Sequence, residues 1–201
     1  MSDVLVVFHS RTGHCRDLAR LLSEQRGWAL AEVAWPGEQP SYARCAKEAI
    51  LRGHPEIRYQ GPDPAAYDVV VLVSPVWCWR LCPPMRSFIR SMQGKLGGVA
   101  IVSCMGGSGA DNAVAEVEHL IHRPVVAKLA LRQAEVDSGR FGSLQAFADE
   151  VSARARSRHA PSSASVPRAV VPAPAATPAQ AADASLRLSA RAMPRAGSAR
   201  E

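Results

Sequence analysis

Residues 4–22 read VLVVFHSRTGHCRDLARLL, and this stretch decides the fold class. Its first five residues are all apolar and rich in valine, which is typical of a strand that is covered on both faces in a parallel sheet. After a short polar segment, Leu18, Leu21 and Leu22 recur at helical spacing and predict an amphipathic helix. A buried strand that leads through a loop into a helix is the opening of a β-α-β unit.

The same alternation continues along the chain. Apolar runs predict four further strands, and amphipathic or proline-started segments predict four further helices. The predicted strands are 29–35, 69–73, 98–104 and 125–131, and the predicted helices are 41–52, 83–93, 110–122 and 143–156. Five strands that alternate with helices predict an α/β fold, an open, doubly wound, five-stranded parallel sheet.

The charge is distributed unevenly between a body and a tail. Residues 154–201 contain eight arginines against Asp183 and Glu201, so they carry the whole formal charge of +6 and leave the body neutral. We expect residues 1–156 to form one domain and residues 157–201, rich in Ala, Pro and Arg, to be disordered. This tail is interpreted either as a solvated extension or as a weak basic anchor for an acidic surface, and both interpretations stay open. The neutral body argues against nucleic acid as a partner.

Composition also bounds the location of the protein. With 47% hydrophobic residues the chain can bury a core, but no apolar run approaches the ~20 residues of a membrane helix. The N-terminus lacks the features of a secretory peptide, and five scattered cysteines do not form a disulfide framework. We therefore expect a cytoplasmic protein without a membrane span.

Ligands of such sheets bind at the carboxyl ends of the strands, so the loops that follow the strands are where binding residues are expected. The loop after the first strand supplies the hydroxyls of Ser10 and Thr12, the flexible Gly13, and the N–H groups of a helix N-terminus, which together favour an anion. It is neither a dinucleotide fingerprint nor a Walker loop. A simple polar helix cap is the other interpretation.

Two more loops lie at the same carboxyl edge of the predicted sheet. Residues 74–84, SPVWCWRLCPP, place two tryptophans after the central strand, where they either stack on a planar ligand or cover the core. Residues 104–109, CMGGSG, form a glycine-rich turn with many backbone donors. A phosphate attached to a large planar ring would fit all three loops.

These segments resemble the flavodoxin-like FMN-binding flavoproteins. Residues 4–22 are similar to their phosphate loop, residues 67–89 to their Pro-x-aromatic signature, and residues 99–109 to their third flavin loop. The resemblance covers residues 3–155. It implies the flavodoxin-like strand order 2-1-3-4-5 and bound FMN.

The resemblance also implies a set of cofactor-binding residues. The loop from Ser10 to Cys15 would surround the phosphate, Trp77 would stack on the flavin ring, and no catalytic side chain is required. The full set is Ser10, Arg11, Thr12, Gly13, His14, Cys15, Pro75, Val76, Trp77, Cys78, Trp79, Met105, Gly106, Gly107, Ser108 and Gly109. Two positions depart from the family pattern, since His14 and Cys15 stand where Asn and Thr are usual, and a thiol is a weaker donor than a hydroxyl.

The cysteines near the tryptophans allow other interpretations. Cys78 and Cys82 lack the C-x-x-C spacing of a redox dithiol, and His119 and His122 have no C-x-x-C partner for zinc. A disulfide remains open, but filling of the core explains these small apolar side chains better. No metal is expected.

Three functions follow from the resemblance. The first is an FMN-dependent oxidoreductase that uses NAD(P)H to reduce a quinone or another small acceptor. The second is an electron carrier that docks on a redox protein, although the neutral body lacks the acidic charge typical of such carriers. The third is an interaction module that has lost FMN. The homodimeric or monomeric state stays open.

Overall fold

The computed structural model describes residues 3–139 and 142–159. The strands are β1 (Val4–Phe8), β2 (Ala29–Ala34), β3 (Arg58–Gln60), β4 (Val69–Trp77), β5 (Arg80–Leu81), β6 (Gly98–Met105) and β7 (Ala127–Arg132). The α-helices are α1 (His14–Arg26), α2 (Tyr42–Ile50), α3 (Pro83–Ser91), α4 (Ala110–Ile121), α5 (Gln133–Asp137) and α6 (Gly142–His159). A 3₁₀ turn, Pro64–Ala66, precedes β4.

The sheet has the topology that the sequence predicts. Its parallel strands stand in the order β2-β1-β4-β6-β7, which in chain order of these five is 2-1-3-4-5. The short strand β3 adds antiparallel to the outer edge of β2. The prediction of an open, doubly wound five-stranded parallel sheet is therefore confirmed.

Side chains from the central strands feed two separate cores, one on each face of the sheet. In β1, Val4, Val6 and Phe8 point to one core and Leu5 and Val7 to the other, because successive residues of a strand face opposite sides. The first core is completed by α1 and α6, and the second by α3 and α4. Continuous apolar runs are needed because both faces of these strands are buried.

Strand β4 extends further than the predicted 69–73. Pro75 pairs in register with Cys104 of β6, and the strand continues to Trp77. Strand β1 ends at Phe8, opposite Val73, so β4 has a free edge at Pro75, where a proline is tolerated. The segment after the predicted strand therefore turns only at Cys78 and Trp79, which join β4 to the antiparallel β5.

The short elements β3, β5 and α5 were not predicted, because two to five residues carry little periodicity. Helix α6 continues to His159, three residues beyond the predicted domain end. The predicted disordered tail covers residues 157–201; residues 157–159 belong to α6, and residues 160–201 lie outside the described residues. Within residues 3–139 and 142–159, none of the helices combines the length and apolar character needed to cross a bilayer.

Candidate functional site

Three loops meet where the strand order reverses. Strand β2 pairs with one edge of β1, and β4 pairs with the other edge, so the order of the strands reverses at β1. The segments after β1, β4 and β6 therefore emerge side by side at the carboxyl edge. In doubly wound sheets this switch point is where ligands bind.

The loop after β1 leaves the first turn of α1 open to an anion. Gly13 precedes the helix with a φ of 106°, a conformation that side-chain-bearing residues rarely adopt. Its N–H donates to the Ser10 hydroxyl at 3.1 Å, and no side chain caps the helix. The first intrahelical bond here is donated by Asp17 to Gly13, so the N–H groups before it are left for a ligand or solvent.

His14 is held from both sides of its ring. Its Nδ1 lies 2.8 Å from the Thr12 hydroxyl, and its Nε2 lies 3.0 Å from an Asp137 carboxylate oxygen at the end of α5. The imidazole therefore links the loop to a helix that follows β7. Sequence reasoning placed His14 in the loop but had no signal for Asp137.

Cys15 turns its thiol away from the place of a phosphate-binding hydroxyl. The side chain is buried in the first core, and its hydrogen bond with Cys104 of β6, together with burial, raises the pKa of Cys15 well above its usual value. The same hydrogen bond lowers the pKa of Cys104. The backbone N–H of Cys15 lies in the open first turn of α1 whatever its side chain, and its role toward an anion stays a prediction.

A pocket of about 170 Å³ lies between the loop after β1 and the end of β4. Nine of the sixteen predicted cofactor-binding residues line it, and Tyr42, Cys104 and Gln133 complete the wall. The nine are Ser10, Arg11, Thr12, His14, Cys15, Pro75, Val76, Trp77 and Gly106. The structure thus brings together residues from all three loops.

A buried histidine that was not predicted stands behind Trp77. His9 is only 2% exposed, its Nδ1 lies 2.7 Å from the carbonyl oxygen of Val33, and its ring contacts that of Trp77. Its Nε2 has no hydrogen-bond partner within the described part of the chain. Burial lowers the pKa of His9, which keeps the ring neutral. His9 follows β1, Val33 lies in β2 and Trp77 lies in β4, so only the tertiary structure brings these residues into contact.

Cys78 and Trp79 do not enter this pocket. They form the two-residue turn of the β4–β5 hairpin, with positive φ values of 50° and 59° as a type I′ turn requires. The Trp79 indole N–H donates to the Ser108 hydroxyl at 3.0 Å. A Cβ on Gly109 would lie 2.6 Å from the Trp79 Cα, so Gly109 permits this close approach.

The remaining predicted positions lie in the loop after β6 and outside the pocket lining. Met105 ends β6, Gly107 is open to solvent space, and Ser108 and Gly109 hold Trp79 as described. Their role toward a cofactor stays a prediction.

The described residues give no support to a disulfide, a redox dithiol or a zinc site at the cysteines and histidines. Cys82 is fully buried, its thiol lies 3.3 Å from the Ser74 hydroxyl, and burial raises its pKa to about 11. All five cysteines are free thiols. Within residues 3–139 and 142–159 no three His, Cys, Asp or Glu side chains are grouped to hold a metal.

The sheet order and the loops at its carboxyl edge define a flavodoxin-like α/β fold. Solved structures share it over the length of the domain. A flavoprotein from Lactobacillus acidophilus, solved in complex with FMN, is 22% identical with a TM-score of 0.58, and the match covers 69% of this chain and 98% of that one. A putative flavoprotein from Bacteroides eggerthii is 21% identical with a TM-score of 0.59, covering 74% and 99%.

A third similar structure is a putative flavoprotein from Bacteroides uniformis, which is 20% identical with a TM-score of 0.57, covering 68% of this chain and 94% of that one. The sequence matches no protein-family profile and no curated protein. At these identities the likeness establishes the fold.

Proposed function

We propose that this protein binds FMN at the switch point between β1 and β4 and acts as an oxidoreductase. The observation that carries this proposal is the junction of an uncapped helix N-terminus with an aromatic wall in one pocket. The first suits a phosphate and the second a flavin ring. The flavoprotein from Lactobacillus acidophilus, which shares the fold, was solved with FMN.

The phosphate end of the site fits FMN. The hydroxyls of Ser10 and Thr12 lie beside the open first turn of α1, and the missing side chain at Gly13 leaves room for a phosphate oxygen. Arg11 adds a positive charge, although its guanidinium donates to the Pro40 carbonyl at 2.8 Å and lies over the Tyr42 ring at 4.6 Å. An anion here would meet the N–H groups of the first turn of α1 that have no intrahelical partner.

The ring end of the site needs an opening movement. The pocket of about 170 Å³ is smaller than the 300–1,000 Å³ that is usual for small-molecule sites, so the segments after β4 and β6 must separate to admit a flavin ring. A hydrogen bond from the Trp79 indole to the Ser108 hydroxyl joins the two segments at the surface. Breaking one such bond costs about 1 kcal/mol, and opening also separates Gly109 from the Trp79 backbone against which it packs.

Bound FMN would supply the redox chemistry, since a flavin exchanges electrons singly or as a pair. The protein residues bind and orient the cofactor: α1 holds the phosphate, and Trp77, fixed by His9, sets the environment of the ring. No side chain acts as acid or base. We propose NAD(P)H as the electron donor and a quinone or another small oxidant as the acceptor.

The test is to purify the full chain with FMN present and record its visible spectrum. Flavin absorbance that persists after gel filtration is the expected result, and its absence would reject the proposal in favour of an FMN-free interaction module. Anaerobic mixing with NADPH then separates the enzyme from an electron carrier. Rapid bleaching supports the enzyme, whereas a stable yellow colour supports the carrier.

A further inference from the structure

A second cavity lies outside the flavin pocket, on the other side of the Cys78–Trp79 turn. Its volume is about 600 Å³, within the range of small-molecule sites. The wall is made by the β4–β5 hairpin, the residue Arg52 that follows α2, and one side of α4 that presents Asn112 and His119. None of its lining residues also lines the proposed flavin pocket.

The cavity carries uncompensated positive charge. Arg52 and Arg80 both line it, and neither guanidinium has a carboxylate partner among the described residues. The acidic side chain in the wall, Glu116, is already neutralised, because one oxygen accepts from Arg86 at 2.5 Å and the other from the Leu81 N–H at 3.3 Å. An anion in the cavity would therefore meet two free cations.

The same cavity presents a large aromatic surface. Trp79 is 64% exposed, which is unusual for so apolar a side chain, and its bond to Ser108 holds the indole in place. An indole that is fixed and exposed offers a preformed face for another planar group. Trp79 and the two arginines therefore line the same cavity.

Unusual backbone conformations concentrate at this cavity. Among the described residues, four that are not glycine have positive φ, and three of them, Arg52, Cys78 and Trp79, line the cavity. At Cys78 and Trp79 they are those of the type I′ turn, and at Arg52 the chain turns directly after the end of α2. The two turns place a tryptophan and an arginine from different elements at one cavity.

We propose that this cavity is a binding site for a planar aromatic molecule that carries an anionic group such as a sulfonate or carboxylate. The ring stacks on Trp79, and the anionic group is bound by Arg80 and Arg52, with Asn112 as an additional donor. The residues that line this cavity are distinct from those of the flavin pocket, so binding is measured on the FMN-free protein, in which the Trp79–Ser108 bond is intact.

The test is isothermal titration of the full chain with naphthalenesulfonate, with the neutral naphthalenesulfonamide and inorganic sulfate as comparison ligands. The sulfonate is expected to bind at least about tenfold more tightly than either, since it alone offers both ring and charge. Raising the salt concentration should weaken binding of the sulfonate. Equal affinity for the sulfonamide, or effective competition by sulfate, would overturn the proposal.

Variants locate the binding. Arg80→Gln should weaken the sulfonate about tenfold, and the more exposed Arg52→Gln about threefold. Trp79→Ala should weaken it, and Trp79→Phe should retain most of the affinity. Arg20→Gln removes an exposed arginine of α1 outside the cavity and should change little. A loss for Arg20→Gln equal to that for Arg80→Gln would show that net charge alone attracts the ligand. No loss for Arg80→Gln would show that the ligand does not bind in this cavity, and either result would overturn the proposal.

Discussion

His9 and Trp77 meet edge to face, with ring centroids 5.6 Å apart and ring planes at 78°. His9 is anchored to β2 through the Val33 carbonyl, so the contact ties the tryptophan of the candidate flavin wall to the middle of the sheet. T-shaped pairs of this kind are worth about 0.5–1.5 kcal/mol beyond their buried area. They also fix the ring orientation, which matters for a stacking group.

Stability should fall in acid because of His9. Burial lowers its pKa in the folded state, so below about pH 6.5 the unfolded chain binds a proton that folded His9 resists. The free energy of unfolding should therefore be lower at pH 5.5 than at pH 7.5, two values that lie about one unit below and above the ordinary pKa of histidine. Urea titrations at the two pH values measure it. His9→Phe should reduce the drop, and His54→Gln, at an exposed site, should change it less. An identical drop in His9→Phe would contradict the assignment.

Trp77→Ala should weaken FMN binding by about tenfold or more, because it removes the aromatic wall of the pocket. Quenching of FMN fluorescence on titration with protein measures this affinity. Trp77→Phe keeps a ring and should bind more tightly than the alanine variant. Trp79→Phe, outside the pocket, is the matched control, and a larger loss there than in Trp77→Ala would place the flavin elsewhere.

Gly109→Ala should destabilise the fold by about 2–4 kcal/mol. The position has a φ of 108°, and the new Cβ would lie 2.6 Å from the Trp79 Cα, so the hairpin and the loop after β6 would have to move apart. Gly107→Ala in the same loop meets no atom within 4 Å and should be nearly neutral. Urea denaturation measures both, and equal stability of the two variants would argue against the contact.

Glu116→Gln should cost about 3–5 kcal/mol, because it leaves the Arg86 guanidinium, which is 1% exposed, without its counter-charge. Arg86 also donates to the Gly53 and Leu81 carbonyls, so the charge is locked inside the protein. Asp149→Asn breaks the more exposed pair with Arg26 and should cost at most about 1 kcal/mol. Thermal and urea unfolding compare the two.

Cys78 should be the first cysteine to react with a thiol reagent in the native protein. The other four are buried, and burial raises the pKa of Cys82 to about 11, which keeps it protonated and unreactive. Titration with a chromogenic disulfide should show one fast thiol that Cys78→Ser abolishes. A fast thiol that survives in Cys78→Ser would point to local opening of the core.

Local sequence patterns predict the five parallel strands and the three loops at their carboxyl edge, and the resemblance to flavodoxin-like proteins predicts the strand order. These follow from local signals: apolar runs for strands buried on both faces, helical spacing of leucines, and glycines before helices. Nine of the predicted binding residues line one pocket for this reason.

Only the tertiary structure decided which side chains face which space. Trp77 and Trp79 are two positions apart in one hairpin but line different cavities, because β4 continues to Trp77 and the turn then reverses the chain. Cys15 of α1 hydrogen-bonds with Cys104 of β6, and His9, which follows β1, hydrogen-bonds with Val33 of β2. Such pairings join residues that lie 24 or more positions apart, and no local pattern encodes a contact over that distance.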